Sequence, residues 1–170
     1  MHKEESSSPT TSIEALFLQS TTNAHERRHN ITLDIPNAFI QTEHEGQTVH
    51  MKIRGRLVDI LVSIDPSTYE PFVTIEYGQK VLYVKLLKAI YGTLEAALLF
   101  YKKLRKDLEE NGYRVNPYDP CVANKMIEGK QHTIMWHVDD LMASHVNPKV
   151  NDNFIKWVQS KYKDKKNWKS

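Results

Sequence analysis

Two adjacent carboxylates within an apolar stretch are the side chains of this sequence that most need a chemical explanation. Asp139 and Asp140 follow the apolar residues 134–136 and precede Leu141-Met142-Ala143. Each is an anion at neutral pH, because the ordinary pKa of aspartate is about 3.9. Removing such a charge from water is costly, and a neighbouring like charge adds to the cost. Either a cation offsets the repulsion or the pair lies in water.

A third carboxylate makes the cation a specific possibility. Asp34 stands near the C-terminal end of the predicted strand Ile31–Ile35, which Pro36 ends. In an antiparallel sheet the end of a strand can lie beside the tip of a hairpin. Mg²⁺ prefers oxygen ligands, and two such ions about 3.5–4 Å apart activate the attacking oxygen and stabilise the leaving oxygen in phosphoryl transfer. Three converging aspartates would therefore be suited to a two-metal site.

Two alternatives to a magnesium site stay open from the residues alone. The first is an exposed turn, because aspartate favours turns and hydrogen-bonds its own backbone there. The second is a zinc or iron site, since His132, His137 and His145 lie close to the aspartates in sequence and imidazole with carboxylate binds either metal. His137 and His145 fall on separate predicted strands, however, and no CxxC spacing occurs.

The pattern of apolar residues predicts an α+β fold with a mostly antiparallel sheet and helices packed on one face. A capping box with Thr11 as N-cap and Glu14 at N3 predicts a helix to about Asn23. Asp139-Asp140 are expected to form a two-residue hairpin turn. Further predicted helices cover 57–64, 94–111 (followed by Gly112) and 151–162, and predicted strands cover 31–35, 49–53, 72–77, 80–86, 121–126, 133–138 and 141–146.

Composition indicates a soluble globular protein that works in a reducing compartment. Of the 170 residues, 40% are hydrophobic and 26% charged, with a net charge of +2 and one cysteine, Cys121. The polar start shows no signal peptide, and no apolar run approaches the length of a membrane span. Residues 1–10 are predicted to be a disordered leader, and 163–170 to be a basic tail.

Four short motifs, in this order, resemble reverse transcriptases of copia-type LTR retrotransposons. DIPNAF at 34–39 resembles D-x-x-x-A-F, and VKLLKAIYG at 84–92 resembles the family's L-x-K-A-L-Y-G stretch. DPC at 119–121 matches a family motif, and HVDD at 137–140 resembles (Y/F)-x-D-D. The resemblance covers about residues 12–160 and implies the palm segment of a Gag-Pol polyprotein.

The resemblance implies an RNA-directed DNA polymerase that extends a DNA primer with dNTPs on an RNA or DNA template. Its fold would be an incomplete right hand, with a palm over residues 11–162 and a partial fingers-like insertion at about 44–84. Two Mg²⁺ ions, which Mn²⁺ can replace, would be the cofactors. The partners implied are the primer–template and the fingers, thumb, RNase H and integrase parts of the polyprotein. The expected location is a cytoplasmic virus-like particle or the nucleus, with no secretion and no membrane.

Carried over residue by residue, the resemblance assigns metal ligation to the side chains of Asp34 and Asp139 and to the backbone carbonyl of Ile35. Asp140 is the second aspartate of its motif, close to the metals. His137 stands where the family has mostly Tyr and is expected at the primer end.

Two further residues are assigned to the nucleotide. Phe39 would lie under the sugar and exclude a 2′-hydroxyl, and Gly92 would lie where the chain passes the nascent base pair. Without the resemblance, Phe39 is better explained as a core aromatic and Gly92 as part of a turn before a helix. Residues 93–97, TLEAA, lack the Gln and Arg that the family usually has there.

A second hypothesis is a catalytically inactive, truncated retroelement remnant that binds nucleic acid weakly through its lysine-rich end. Such binding would weaken steeply with salt. Positioning and electrostatics supply nearly all of phosphoryl-transfer catalysis, so a palm without fingers and thumb is expected to show little activity by itself.

Overall fold

The computed structural model describes residues 8–43, 48–93 and 95–162. The first seven residues of the expected leader and the expected basic tail, 163–170, lie outside the described residues. The protein is α+β, as predicted, and divides into two units. One unit comprises Met1–Thr42 and Ala89–Ser170, and the other is Glu43–Lys88, close to the 44–84 insertion that the sequence suggested.

The first unit is a five-stranded antiparallel sheet with three helices. The strands are ordered β1-β8-β7-β6-β5, so the two central hairpin strands, β7 and β8, lie between neighbours. Its elements are α1 (Ile13–Glu26), β1 (His29–Asp34), α4 (Ala96–Glu110), β5 (Arg114–Val115), β6 (Val122–Ile127), β7 (Lys130–His137), β8 (Asp140–His145) and α5 (Pro148–Lys161), with a short 3₁₀ helix at Ala38–Gln41.

The hydrophobic core lies between one face of this sheet and helices α4 and α5. Because side chains alternate along a strand, Ile134 and Trp136 of β7 share this face, and both are buried. Tyr101 of α4 packs on Trp136 with 6.3 Å between ring centroids. Phe154 of α5 packs edge-on against His132 at 5.5 Å. This apolar layer holds the ends of β1, β7 and β8 in a fixed register.

Helix α1 lies against the opposite face of the sheet. The Gln19 amide donates to Ser144 Oγ at 3.0 Å, and the Arg28 guanidinium donates to Thr133 Oγ1 at 3.1 Å. Ser144 and Thr133 are cross-strand partners that alternate with the core residues on either side. The prediction that the helices pack on one face is therefore wrong. Ser144 finds its partner on α1 and Thr133 finds its partner in Arg28, just after α1, which leaves mostly apolar side chains on the other face.

Several predicted boundaries shift for local reasons. Ser12, not Thr11, is the N-cap of α1, and its hydroxyl accepts from the Ala15 amide at 3.2 Å. The Thr11 hydroxyl instead donates to the Trp136 carbonyl at 2.7 Å. Helix α5 begins at Pro148, three residues before the predicted start, because the Asn147 side chain caps it by accepting from the Lys149 amide.

The second unit is a three-stranded antiparallel sheet, ordered β2-β4-β3, with short helices. The predicted hairpin forms, but its turn is Tyr77-Gly78 and not Gly78-Gln79, since Gln79 pairs with Glu76. Both turn residues have positive φ, 48° and 75°, as two-residue hairpin turns of type I′ require. Its elements are β2 (His50–Arg54), α2 (Arg56–Ile64), α3 (Pro66–Tyr69), β3 (Thr74–Glu76) and β4 (Gln79–Lys85), with a 3₁₀ turn at Glu70–Phe72.

Ion pairs join the elements of this second unit. Lys52 of β2 pairs with Glu76 of β3 across the intervening strand, and Lys80 of β4 pairs with Asp59 of α2 at 2.6 Å. In the described parts of the whole chain, none of the helices has both the length and the apolar character needed to cross a bilayer.

Candidate functional site

The hairpin between β7 and β8 ends in a turn displaced by one residue from the predicted one. His137 pairs with Asp140, so the turn residues are Val138 and Asp139. The expectation that Asp139-Asp140 form the turn is wrong, because Asp140 is drawn into β8 by pairing on both sides, with His137 and with Asp34 of β1. Val138 then takes a positive φ of 58°, a conformation that a β-branched residue rarely adopts.

The structure brings the three predicted aspartates to one end of the sheet. Asp34 and Asp140 lie directly opposite each other on neighbouring antiparallel strands. The Ile35 amide donates to the Asp139 carbonyl at 3.1 Å and so ties the turn to the end of β1. Partial burial raises the pKa of Asp34, and the negative charges of Asp139 and Asp140 raise it further. Asp34 is therefore repelled by both Asp139 and Asp140.

His137, Asp140 and Asp34 form a row across three neighbouring strands. The register places them on the face opposite α4 and α5, where a groove of about 640 Å³ runs between the start of α1 and the sheet. The walls of the groove are mostly apolar, with Ile13 and Leu16 of α1 on one side and Met135 and Met142 of the sheet on the other. The carboxylates thus lie at an accessible surface beside apolar contact area.

An aromatic pair lies on the core side of the aspartates. Phe39 is 7% exposed, and its ring centroid lies 4.3 Å from that of Tyr91 and 6.3 Å from that of Phe100. The Tyr91 hydroxyl donates to Asp139 Oδ2 at 3.2 Å. Partial burial raises the pKa of Tyr91, and the charges of Asp139 and Asp34 add to the effect. Sequence reasoning did not single out Tyr91 as a site residue.

Ile35 and Gly92 occupy positions set by the backbone. The Ile35 side chain is fully buried in the core, while its amide is bound to the hairpin turn. Gly92 has a φ of 90° in a turn that the Thr93 amide closes on the Ile90 carbonyl at 3.2 Å. Among the described residues, no atom beyond its chain neighbours lies within 4 Å of where a Cβ would stand, so the positive φ is the feature that favours glycine here.

The donor set suits a hydrated magnesium ion. As the side chains stand, no group of three or more His, Cys, Asp or Glu residues in the described ranges is arranged to hold a metal ion. Mg²⁺ does not require such a cage, since it keeps several waters and is usually held by one or two carboxylates with substrate phosphates. Asp34 is exposed and Asp139 half-exposed, and both offer only oxygen donors, so the carboxylates assigned to the metal fit this kind of site.

The structure separates two of the three histidines from the aspartates. His132 and His145 are fully buried on the core face, with their rings 5.8 Å apart, and the Tyr113 hydroxyl lies 2.7 Å from His132 Nδ1. Asp140 lies on the other face of the same sheet. This arrangement disfavours the zinc or iron hypothesis, because only His137 shares a face with the carboxylates.

Asp119, known from the sequence only as part of a motif, joins the start of α1 to the sheet. Its carboxylate accepts from the Ser12 amide and hydroxyl, both at 2.9 Å, and from the Cys121 amide at 2.8 Å. The side chain is buried with these donors around it. Asp119 therefore supports the wall of the groove and takes no direct part in its chemistry.

Comparison of the chain with protein-family models, with curated proteins and with solved structures finds no match.

Proposed function

We propose that this chain supplies the metal-binding palm of an RNA-directed DNA polymerase of the copia retrotransposon type. The observation that carries the proposal is the meeting of Asp34, Asp139 and Asp140 at one end of an antiparallel sheet. Asp34 and Asp139 belong to two motifs of the resemblance that are 105 residues apart in the sequence, and these two motifs are adjacent in space.

The chain's own residues would have the following roles at the site. Asp34 and Asp139 would hold the metal, with the Ile35 carbonyl as a further ligand and Asp140 adding negative charge. When bound, Mg²⁺ would activate the primer hydroxyl and neutralise the charge of the triphosphate. His137 shares the open face of the sheet with Asp34 and Asp140 and is suited to contact the primer end.

Phe39 and Gly92 would shape the nucleotide site. The Phe39 ring packs against Phe100, with 6.3 Å between ring centroids, and against Tyr91, with 4.3 Å, so two aromatic contacts hold it in position. A rigid aromatic ring at this position would favour dNTPs by excluding the 2′-hydroxyl. Gly92 leaves open space beside the turn that carries Tyr91.

Metal binding tests the proposal directly. We expect saturable binding of Mg²⁺ and of Mn²⁺ to the wild-type chain in calorimetry, and its loss in Asp139→Asn. Asp152→Asn, an exposed position on α5, removes the same charge away from the site and should bind like wild type. Absence of binding to the wild-type chain, or equal binding by Asp139→Asn, would contradict the proposal.

Nucleic-acid substrates then separate an active palm from an inactive remnant. Primer–template and dNTPs are added to the metal-loaded chain, and extension by even one nucleotide is followed on a gel. Extension that needs Asp139 would establish polymerase activity. Metal binding without extension is the result expected of a palm acting without fingers and thumb.

A further inference from the structure

Tyr91 is the residue that joins the candidate metal ligand to the aromatic floor of the nucleotide site. Its hydroxyl donates to Asp139 Oδ2 at 3.2 Å, and its ring lies 4.3 Å from the ring of Phe39. Both contacts come from one side chain, which is itself 59% exposed. A tyrosine at this position therefore contacts both halves of the proposed site.

Contacts with core residues hold the Tyr91 ring on one side. Phe39 is buried and packs on Phe100 of α4, so the ring beneath Tyr91 belongs to the core. The turn that carries Tyr91 is closed by two hydrogen bonds from Thr93, amide and hydroxyl, to the Ile90 carbonyl. The phenol is thus supported by the core and presented to the hairpin turn.

Asp139, in contrast, is connected to β1 through its backbone. The hydrogen bond between β1 and the turn uses the Asp139 carbonyl, not its side chain. The negative charge of Asp139 raises the pKa of Asp34, so these two carboxylates repel each other. The Tyr91 hydroxyl is a neutral donor that stabilises the anion through Oδ2, and a carboxylate has further acceptor capacity on Oδ1 for a cation.

We propose that Tyr91 is a positioning residue that orients the Asp139 carboxylate for the metal and links that orientation to the ring of Phe39. The inference rests on the proposed function, since it concerns the same site. Under this proposal Tyr91, which directly precedes Gly92, affects metal affinity in addition to any contact that it makes with the nucleotide.

The first test is magnesium affinity in Tyr91→Phe, which keeps the ring on Phe39 and removes only the hydroxyl. We expect the Kd for Mg²⁺ to rise about three- to ten-fold, as loss of one hydrogen bond to a half-exposed anion predicts. Tyr118→Phe is the matched control, because Tyr118 is 96% exposed and its described hydrogen bond runs from its backbone amide to the Asn116 side chain, not from its hydroxyl. Its Kd should equal that of the wild type.

The second test is spectroscopic and follows the phenol itself. The full chain is labelled with 3-fluorotyrosine, and Tyr91→Phe identifies the ¹⁹F resonance of Tyr91 among those of the eight tyrosines. This resonance should shift in Asp139→Asn without metal, and in the wild type it should move with Mg²⁺ at the calorimetric Kd. Phe39→Leu, which removes the supporting ring, should change the Tyr91 resonance and also weaken Mg²⁺ binding.

The outcomes separate this inference from the proposed function. If the wild-type chain binds no Mg²⁺, the proposed function fails and the inference fails with it. If it binds Mg²⁺ and Tyr91→Phe has the same Kd, only the inference is overturned. A weaker Kd in Tyr91→Phe, with a Tyr91 resonance that responds neither to Mg²⁺ nor to Asp139→Asn, would also overturn it, because the effect would then be indirect.

Discussion

The repulsion at the hairpin end predicts that Asp140→Asn stabilises the metal-free protein. Asp140 lies directly opposite Asp34, and Asp139 precedes it in the turn. Asparagine has nearly the same shape but no charge. A residue whose removal increases stability is typical of a functional site, where the arrangement is selected for binding and not for folding.

The size of the effect follows from the geometry. Like charges directly opposite on antiparallel strands destabilise by about 0.2–1 kcal/mol. Coulomb's law gives a similar value, about 0.7 kcal/mol for unit charges ~6 Å apart in a water-like dielectric. We therefore expect a gain of roughly 0.5–1 kcal/mol, which for a chain of this size is a rise in Tm of about 1–4 °C.

The pH dependence of this gain has a definite sign. The pKa of Asp34 is raised in the folded chain, first by burial and then by the two neighbouring carboxylates. As pH rises from the ordinary pKa of aspartate through this raised value, the unfolded chain loses its proton first, so folding stability falls. The destabilisation therefore grows as pH rises through this range, and the advantage of Asp140→Asn should be larger at pH 7 than at pH 3.

The measurement is thermal unfolding of wild type, Asp140→Asn and Asp152→Asn at low ionic strength with EDTA. The Asp152 variant controls for the change in net charge and should differ little from wild type. Added NaCl should reduce the gain, because the Debye length falls to about 10 Å at 0.1 M. If Asp140→Asn lowers Tm, or if it gains no more than Asp152→Asn, the carboxylates do not repel as the structure indicates.

Two predictions concern stability away from the metal ligands. Asp119→Ala should lower the free energy of unfolding by about 1–3 kcal/mol, since it leaves the buried amide of Cys121 and the part-buried amide of Ser12 without their acceptor; hydrogen exchange should show α1 most affected, and Asp119→Asn, which keeps one acceptor oxygen, should lose less. Burial lowers the pKa of His132 to about 4, so the unfolded chain binds a proton between pH 6.5 and 4 that the folded chain does not. Unfolding should therefore cost about 2 kcal/mol less at pH 5 than at pH 7, a difference that His132→Gln should reduce and that the exposed control His50→Gln should not. A stability that stays constant over this pH range would refute the assignment of His132.

The strand pattern of the first unit was accessible from the sequence because the strands near the hairpin combine apolar runs with clear turn residues. The error of one residue at the turn has a physical cause. Local turn chemistry favours Asp139-Asp140 over Val138-Asp139, since valine is disfavoured at positive φ. Pairing of Asp140 with Asp34, far away in sequence, outweighs that local preference.

Tyr91, Asp119 and the position of α1 could not be predicted for a common reason. Each depends on a partner distant in the chain: the Tyr91 hydroxyl contacts a residue 48 positions away, and Asp119 binds one 107 positions away. Local periodicity carries no information about such contacts. The Asn147-Pro148 pair, by contrast, is a local signal for a helix start that the apolar periodicity alone does not reveal.

The chain leaves and re-enters the first unit at two neighbouring points. The Ala89 amide donates to the Thr42 carbonyl at 3.0 Å, and both residues belong to the first unit. The first unit therefore holds the two ends of the 43–88 segment close together. A segment with adjoining ends imposes little strain on its host whatever its length, because lengthening a closed loop costs only slowly increasing entropy. Evolution, or a protein engineer, could therefore exchange, shorten or enlarge this segment as a module without disturbing the aspartates of the sheet.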